Sequence, residues 1–232
     1  VQSEKARREI ENDFGLVRAD DKINKSMYDL KPINTQVHYG KAATKRAILN
    51  VLNLIFKEYK FCSLPELNAV LNLYNVAAEQ GSEKSRVFKN GGLVYRLRDS
   101  DGNYQGVPIK ASDFQYKSAQ IKSDSLIKPT LKTLEAYFAI NQTARLPYKN
   151  PVKNAIDLTL LNNENIGLKA LVNELEQEGI DTVLRYTKDG KIFGITYIDH
   201  KNGCVFKGSE LGKSYSATAI QQRCGEIQAP VQ

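Results

Sequence analysis

The sequence predicts an α+β fold: two similar helix–helix–β-hairpin units joined by a helix, with an N-terminal helical arm. Three observations carry this. Gly106-Val107-Pro108-Ile109-Lys110-Ala111-Ser112 and Gly203-Cys204-Val205-Phe206-Lys207-Gly208-Ser209 share one plan, a short apolar run followed by a lysine, a small residue and a serine. A strand signal lies upstream of each, Leu93-Val94-Tyr95-Arg96-Leu97 and Ile195-Thr196-Tyr197-Ile198. A leucine-spaced helix precedes each strand, with Leu64, Leu67 and Leu71 in the first and Leu168, Leu171 and Leu175 in the second. The copies are 104 residues apart at Leu64 and Leu168 but 97 apart at Lys110 and Lys207, so the correspondence contains gaps.

A chain of 232 residues has room for one large domain or two small ones. The pattern divides it into an arm and extended strap over 1–40, a first α+β unit over 41–128, a connecting helix over 129–150 and a second α+β unit over 151–232. In the arm, Ala6, Ile10 and Phe14 form one stripe of a helix over 3–14, and Gly15 suits a left-handed cap. Residues 16–40 have no period. Over 43–59, Ile48, Val51, Leu52, Ile55, Phe56 and Tyr59 make a broad apolar helix face. Lys41, Lys45 and Arg46 stand at its start, against the helix dipole. They suit a bound phosphate or a solvated basic turn.

Ser63-Leu64-Pro65-Glu66 has the form of a capping box. The helix that it opens runs to about Tyr74, and a polar segment from Gln80 to Gly92 follows, with Arg86 and Lys89. A hairpin then turns at Ser100-Asp101-Gly102-Asn103 and ends at Lys110. Residues 111–128 are polar and without a clear period. Pro129 opens a helix through about Ala144, with Leu131, Leu134 and Phe138 on one side, and Pro147 and Pro151 bracket a break. In the second unit, Ala155, Ile156, Leu158 and Leu161 predict a first helix. Leu168, Leu171, Val172 and Leu175 predict a second, capped by Gly179. Val183 to Tyr186 and Ile192 to Ile198 form a hairpin around Lys188-Asp189-Gly190-Lys191. Gly203 to Phe206 is a third strand, and Ser216 caps a last helix through Arg223.

The net charge of +7 favours nucleic acid or an acidic surface as partner. Its placement is more informative. Residues 30–57 carry Lys31, Lys41, Lys45, Arg46 and Lys57 without an acid, and residues 136–156 carry Arg145, Lys149 and Lys153 without one. One such segment reads as a solvated helix face; two of them beside a repeated lysine read as a basic surface. Tyrosines beside cations, at Tyr116-Lys117, Tyr148-Lys149 and Lys213-Ser214-Tyr215, suit base stacking and phosphate contacts, although any one of them equally fills a half-buried edge.

Catalytic patterns are absent from the sequence. It has no Walker-type phosphate loop and no paired-histidine metal spacing. His200, in an Asp199-His200 turn, reads as solvated, and His38 lies in the strap. Cys62, Cys204 and Cys224 are too scattered for a zinc site or a disulfide framework, and fit a reducing cytoplasm. No apolar run reaches the ~18 residues of a membrane-spanning helix, and the start lacks a signal-peptide pattern.

Several stretches together resemble the region that follows the nuclease core in bacterial relaxases, the mobilisation nucleases. They are Phe14-Gly15-Leu16-Val17-Arg18-Ala19, Ser63-Leu64-Pro65-Glu66-Leu67-Asn68-Ala69-Val70, Gly92-Leu93-Val94-Tyr95, the Gly106–Ser112 stretch, and Phe206-Lys207-Gly208-Ser209-Glu210-Leu211. The resemblance spans roughly Glu4 to Ile220. It implies a partner, DNA at a transfer origin, with accessory mobilisation proteins as further partners. In such relaxases a tyrosine nicks one strand, aided by a divalent metal on a histidine cluster. Neither the cluster nor the nucleophile region is present here, so the chain resembles a non-catalytic fragment with no cofactor of its own; the metal is implied for an absent nuclease domain. The expected DNA contacts are Lys45, Arg46, Arg86, Lys89, Lys110, Lys207 and Lys213, with Ser112 and Ser209 as hydroxyl donors. The alternative function is a protein-interaction module that docks partners of the transfer apparatus.

Overall fold

The structure is a computed structural model that describes residues 44–99, 101–116, 127–163 and 165–224. The predicted arm, its Gly15 cap, the strap with Lys31, His38 and Lys41, and Lys117 lie outside the described residues. The described residues form an α+β fold of eight α-helices and two three-stranded antiparallel sheets.

The first unit begins with α1 (Thr44–Glu58) and α2 (Leu64–Asn72). The sheet follows: β1 (Val76–Glu79), β2 (Val94–Arg98) and β3 (Tyr104–Lys110), with β2 central. A short helix, α3 (Arg86–Lys89), is set into the β1–β2 connection, and a 3-10 turn at Ala111–Asp113 follows β3. The connecting helix is α4 (Leu131–Ala144). The second unit is α5 (Lys149–Asn162), α6 (Leu168–Gln177), β4 (Ile180–Tyr186), β5 (Ile192–Asp199), β6 (Cys204–Lys207), α7 (Gly208–Leu211) and α8 (Ala217–Arg223). Its sheet has β5 in the centre.

The likeness of the units reaches individual hydrogen bonds. The corner between α2 and β1 is Asn75, at φ 60°, and that between α6 and β4 is Gly179, at φ 79°. In each unit the carbonyl of this left-handed residue accepts an N–H from the end of the central strand: that of Arg98, the last residue of β2, to Asn75 at 2.8 Å, and that of His200, just past β5, to Gly179 at 3.0 Å. Val94 pairs with Lys110, and Thr196 with Lys207. Tyr95 and Tyr197, next along their strands, are both fully buried. Each donates its hydroxyl to a later carbonyl, Tyr95 to Pro129 at 2.9 Å and Tyr197 to Tyr215 at 3.4 Å. Lys110 and Lys207 each precede a helical turn in the same extended conformation, at φ −63° and −67°. The small residue after the lysine also has a structural reason in the second unit, because a Cβ on Gly208 would run into the Tyr215 carbonyl.

What covers the two sheets differs. Alternate residues of a strand face opposite sides. One face of the second sheet presents Ile195, Tyr197 and Phe206 to a core with Val152, Ile156, Leu171, Leu175 and Ile220. Its other face sends Ile198 and Val205 into the first unit's core, with Ile48, Leu52, Phe56, Leu67, Tyr95 and Leu97. The second sheet is thus buried on both sides along β6 and most of β5, whereas Tyr186 and Phe193 at its hairpin end are exposed. In the first sheet Tyr95 and Leu97 point to the core, whereas Val94, Arg96 and Arg98 share the opposite face with Tyr104 and Lys110, their partners or neighbours on β3.

Segment 59–61 joins the units. Lys60 forms a parallel bridge to Cys204, donating its N–H to Gly203 O at 2.6 Å and accepting from Val205 N at 3.0 Å. Gly203 sits at φ 59°, and a Cβ there would overlap the Glu58 carbonyl oxygen. Gly203→Ala should therefore destabilise the fold by about 2–5 kcal/mol, combining left-handed strain with overpacking. Urea denaturation should separate it from Gly190→Ala, where φ is 76° but a Cβ would meet nothing, and the cost should be only about 1–2 kcal/mol.

Several local expectations are corrected. Ser63 is the N-cap of α2, but its hydroxyl makes no capping bond. Glu66 does not bond back to Ser63; it accepts the Cys62 N–H at 2.6 Å and lies 2.9 Å from the Arg145 guanidinium. The capping box fails because Glu66 is fully buried and drawn to that cation. Arg145 is accordingly no part of a basic surface: it is 4% exposed, and it also reaches Glu210 at 2.6 Å and the Val205 carbonyl. His200 is buried rather than solvated, with Nδ1 2.8 Å from the Tyr59 hydroxyl and Nε2 3.1 Å from Asp181. Pro129 precedes α4, whose N-cap is Thr130. Helix α5 starts at Lys149, before the expected break ends, and it buries Val152, Ile156 and Thr159 while Leu158 and Leu161 face solvent. Strand β1 follows the predicted helix before the polar segment, where the sequence gives no strand signal, and helix α3 lies inside the Gln80–Gly92 segment.

Candidate functional site

One end of the first sheet holds a cleft of about 490 Å³. Its walls come from four parts of the chain: α3 and its C-cap (Arg86, Val87, Asn90), the Gly91-Gly92 turn into β2 (Leu93, Val94), the end of β3 with the following turn (Lys110, Ala111, Ser112), and Thr130.

The local sequence explains each part. Ser85 caps α3 by accepting the Phe88 N–H at 3.1 Å. Four residues later the helix stops, because Gly91 turns left-handed at φ 59°. Gly91 and Gly92 return their N–H groups to the Phe88 and Val87 carbonyls at 2.9 and 2.8 Å. Those two amides are therefore occupied. Ala111 N–H bonds to Leu93 O at 2.9 Å, which fixes the end of β3 beside the start of β2. Because residues alternate along a strand, the Lys110 backbone faces the free edge of β3, and its side chain shares the outer face with Val94. The bond from Tyr95 to the Pro129 carbonyl, at 2.9 Å, holds the chain before α4 against the sheet and brings Thr130 to the rim.

Arg86 and Lys110 are both exposed, and among the described residues neither forms an ion pair with a carboxylate. These two cations stand with the hydroxyls of Ser112, 3.4 Å from Asp113 Oδ1, and Thr130, 3.2 Å from the Thr133 hydroxyl, a set of groups whose chemistry suits an oxyanion. An arginine offers a planar donor fork and a lysine a compact point charge, which are complementary ways to hold phosphate oxygens. Further along the same sheet face, Arg96 and Arg98 each place the guanidinium carbon 5.0 Å from the Tyr104 ring centre, and Tyr104 is 45% exposed. Arg96 is partly neutralised by Glu79 at 2.9 Å; Arg98 donates to the Tyr104 hydroxyl at 3.4 Å.

Of the residues singled out from the sequence, Arg86, Lys110 and Ser112 converge in this cleft. Lys89 is exposed on α3 outside it, and Lys45 and Arg46 are exposed in the first turn of α1, which carries no acid. Lys207, Ser209 and Lys213 belong to the second unit, around α7. There the edge corresponding to that of Lys110 is already taken: the Lys207 N–H lies 3.4 Å from Glu66 Oε1. Three tyrosines expected to stack on bases are engaged within the fold. Tyr116 is buried and stacked on Phe56 at 5.0 Å, Tyr148 lies beside Lys60 at 5.5 Å, and Tyr215 donates to Asp157 at 2.6 Å. Asn90, Arg96, Arg98, Tyr104 and Thr130 were not anticipated. Arg96 and Arg98 carried a usable signal, since they alternate with the core residues Tyr95 and Leu97.

The divalent metal implied for a nuclease core has no matching ligand set among the described residues. Among them no helix is long and apolar enough to cross a membrane. No family model, no curated protein and no solved structure matches this chain.

Proposed function

We propose that the chain is a DNA-binding, substrate-positioning region of a relaxase-like mobilisation protein, and that the cleft holds a backbone phosphate of the DNA. The observation that carries this reading is the meeting of Arg86, Lys110 and Ser112, from segments 24 residues apart, in one cleft with no acid among its lining residues. The Arg96–Tyr104–Arg98 face extends the cationic surface along the same sheet. Contacts of this kind supply affinity and register rather than sequence reading. If about six phosphates are engaged, log K for a hairpin oligonucleotide falls with log salt at a slope near −5. A slope near zero, or no binding at low salt, contradicts the proposal.

The alternative, a protein-interaction module within the transfer apparatus, draws on the solvent-facing Leu158 and Leu161 of α5, 55% and 75% exposed. The edge of β3 does not support it. Counting back from the equivalent lysines, Pro108 stands where Val205 donates to the Lys60 strand, and proline has no N–H to give an incoming strand. A pull-down with and without nuclease separates the readings: capture that survives nuclease and high salt favours the protein module.

A further inference from the structure

We infer that the cleft accepts a whole nucleotide unit, base included, and not a phosphate group alone. This deepens the nucleic-acid reading of the cleft and rests on it. Size is the first argument. Liquid water takes ~30 Å³ per molecule, so a phosphate fills a minor part of about 490 Å³. The volume falls in the range of roughly 300–1,000 Å³ typical of sites for small organic ligands.

The lining is the second argument. Beside the cations and hydroxyls stand Val87, Leu93, Val94 and Ala111, an apolar wall with no use for phosphate. Against such a wall the flat face of a base loses little by leaving water. Asn90 completes the set: its exposed carboxamide offers both a donor and an acceptor, which a base edge uses and a bare oxyanion does not.

The test titrates the full chain, by NMR or calorimetry, with the deoxynucleoside 5′-monophosphates, inorganic phosphate and the phosphate-free deoxynucleosides. At least one monophosphate should bind tenfold or more tightly than inorganic phosphate. Asn90→Ala, at an exposed position, should weaken that monophosphate about fivefold and leave phosphate unchanged, whereas Lys110→Ala should weaken both. Equal affinities for the monophosphates and phosphate, or an Asn90→Ala variant indistinguishable from the parent, overturn the inference. If oligonucleotides bind but no monophosphate does, the inference falls and the DNA-binding reading stands. If no oligonucleotide binds at low salt, both fall.

Discussion

Replacing Arg145 by alanine lowers the unfolding free energy by about 3–5 kcal/mol, as expected when one partner of a buried ion pair is removed and the other stays buried. Arg145 comes from the C-terminal end of α4 and joins Glu66 of α2, Glu210 of α7 and the Val205 carbonyl of β6. It therefore ties the connecting helix to both units at one point. Its loss leaves the Glu66 carboxylate, fully buried, with only backbone N–H groups as donors. Urea denaturation measures the change. A cost below about 1 kcal/mol would mean that the cluster is not what joins the units.

The same cluster carries a pH signature. Burial pushes the Glu66 carboxyl up from its ordinary 4.5 to about 7; Arg145 and the Cys62 N–H oppose this, and Glu210 adds to it. One guanidinium serves two carboxylates. Between about 4.5 and 7 the folded chain holds a proton that the unfolded chain has released, so this group's stabilisation is fullest below that window and is lost as pH rises through it. Glu66→Gln should flatten that part of the stability–pH curve.

The second large effect concerns binding. The double variant Arg86→Ala/Lys110→Ala should lose about a hundredfold in affinity for a hairpin oligonucleotide at low salt, roughly tenfold per charge-assisted contact. Both side chains are exposed and unpaired among the described residues. Stability should therefore stay within about 0.5 kcal/mol of the parent, and loss of binding cannot be put down to unfolding. Lys45→Ala/Arg46→Ala removes the same charge from the start of α1, outside the cleft, and tests whether net charge alone is enough.

Much of the fold was legible because its signals are local. The apolar spacing of Ile48, Val51, Leu52, Ile55 and Phe56 produced α1, all five being buried there. Leu168, Leu171 and Leu175 produced α6 in the same way. Alternation and turn residues produced β2, β3, β4 and β5. The repeated lysine stretch showed more than periodicity could, since Lys110 and Lys207 occupy equivalent rungs of the two sheets. The misses are cases where distant partners decide. Arg145 meets acids 79 and 65 residues away, so its burial left no local trace. His200 reads as a turn residue until Tyr59, 141 residues earlier, is brought against it. Leu158 and Leu161 fit a helical stripe, yet the helix turns Val152 and Ile156 inward.

The candidate site divides along the same line. Lys110 and Ser112 were visible through the repeat, and Arg86 as a cation in a polar segment. That Asn90 and Thr130 join them depends on α3 folding over Gly92 and on Tyr95 holding the chain before α4, which are tertiary facts.

The central claim, that the cleft grips DNA phosphate, is tested most directly by the salt dependence of oligonucleotide binding, measured side by side for the parent chain and Arg86→Ala/Lys110→Ala. Each lost phosphate contact reduces the slope of log K against log salt by about 1. The account predicts a parent slope near −5 that becomes shallower by about 1 in the double variant, which loses the one phosphate held by the cleft. Equal slopes for the two chains, or a parent that binds no oligonucleotide at low salt, would contradict it.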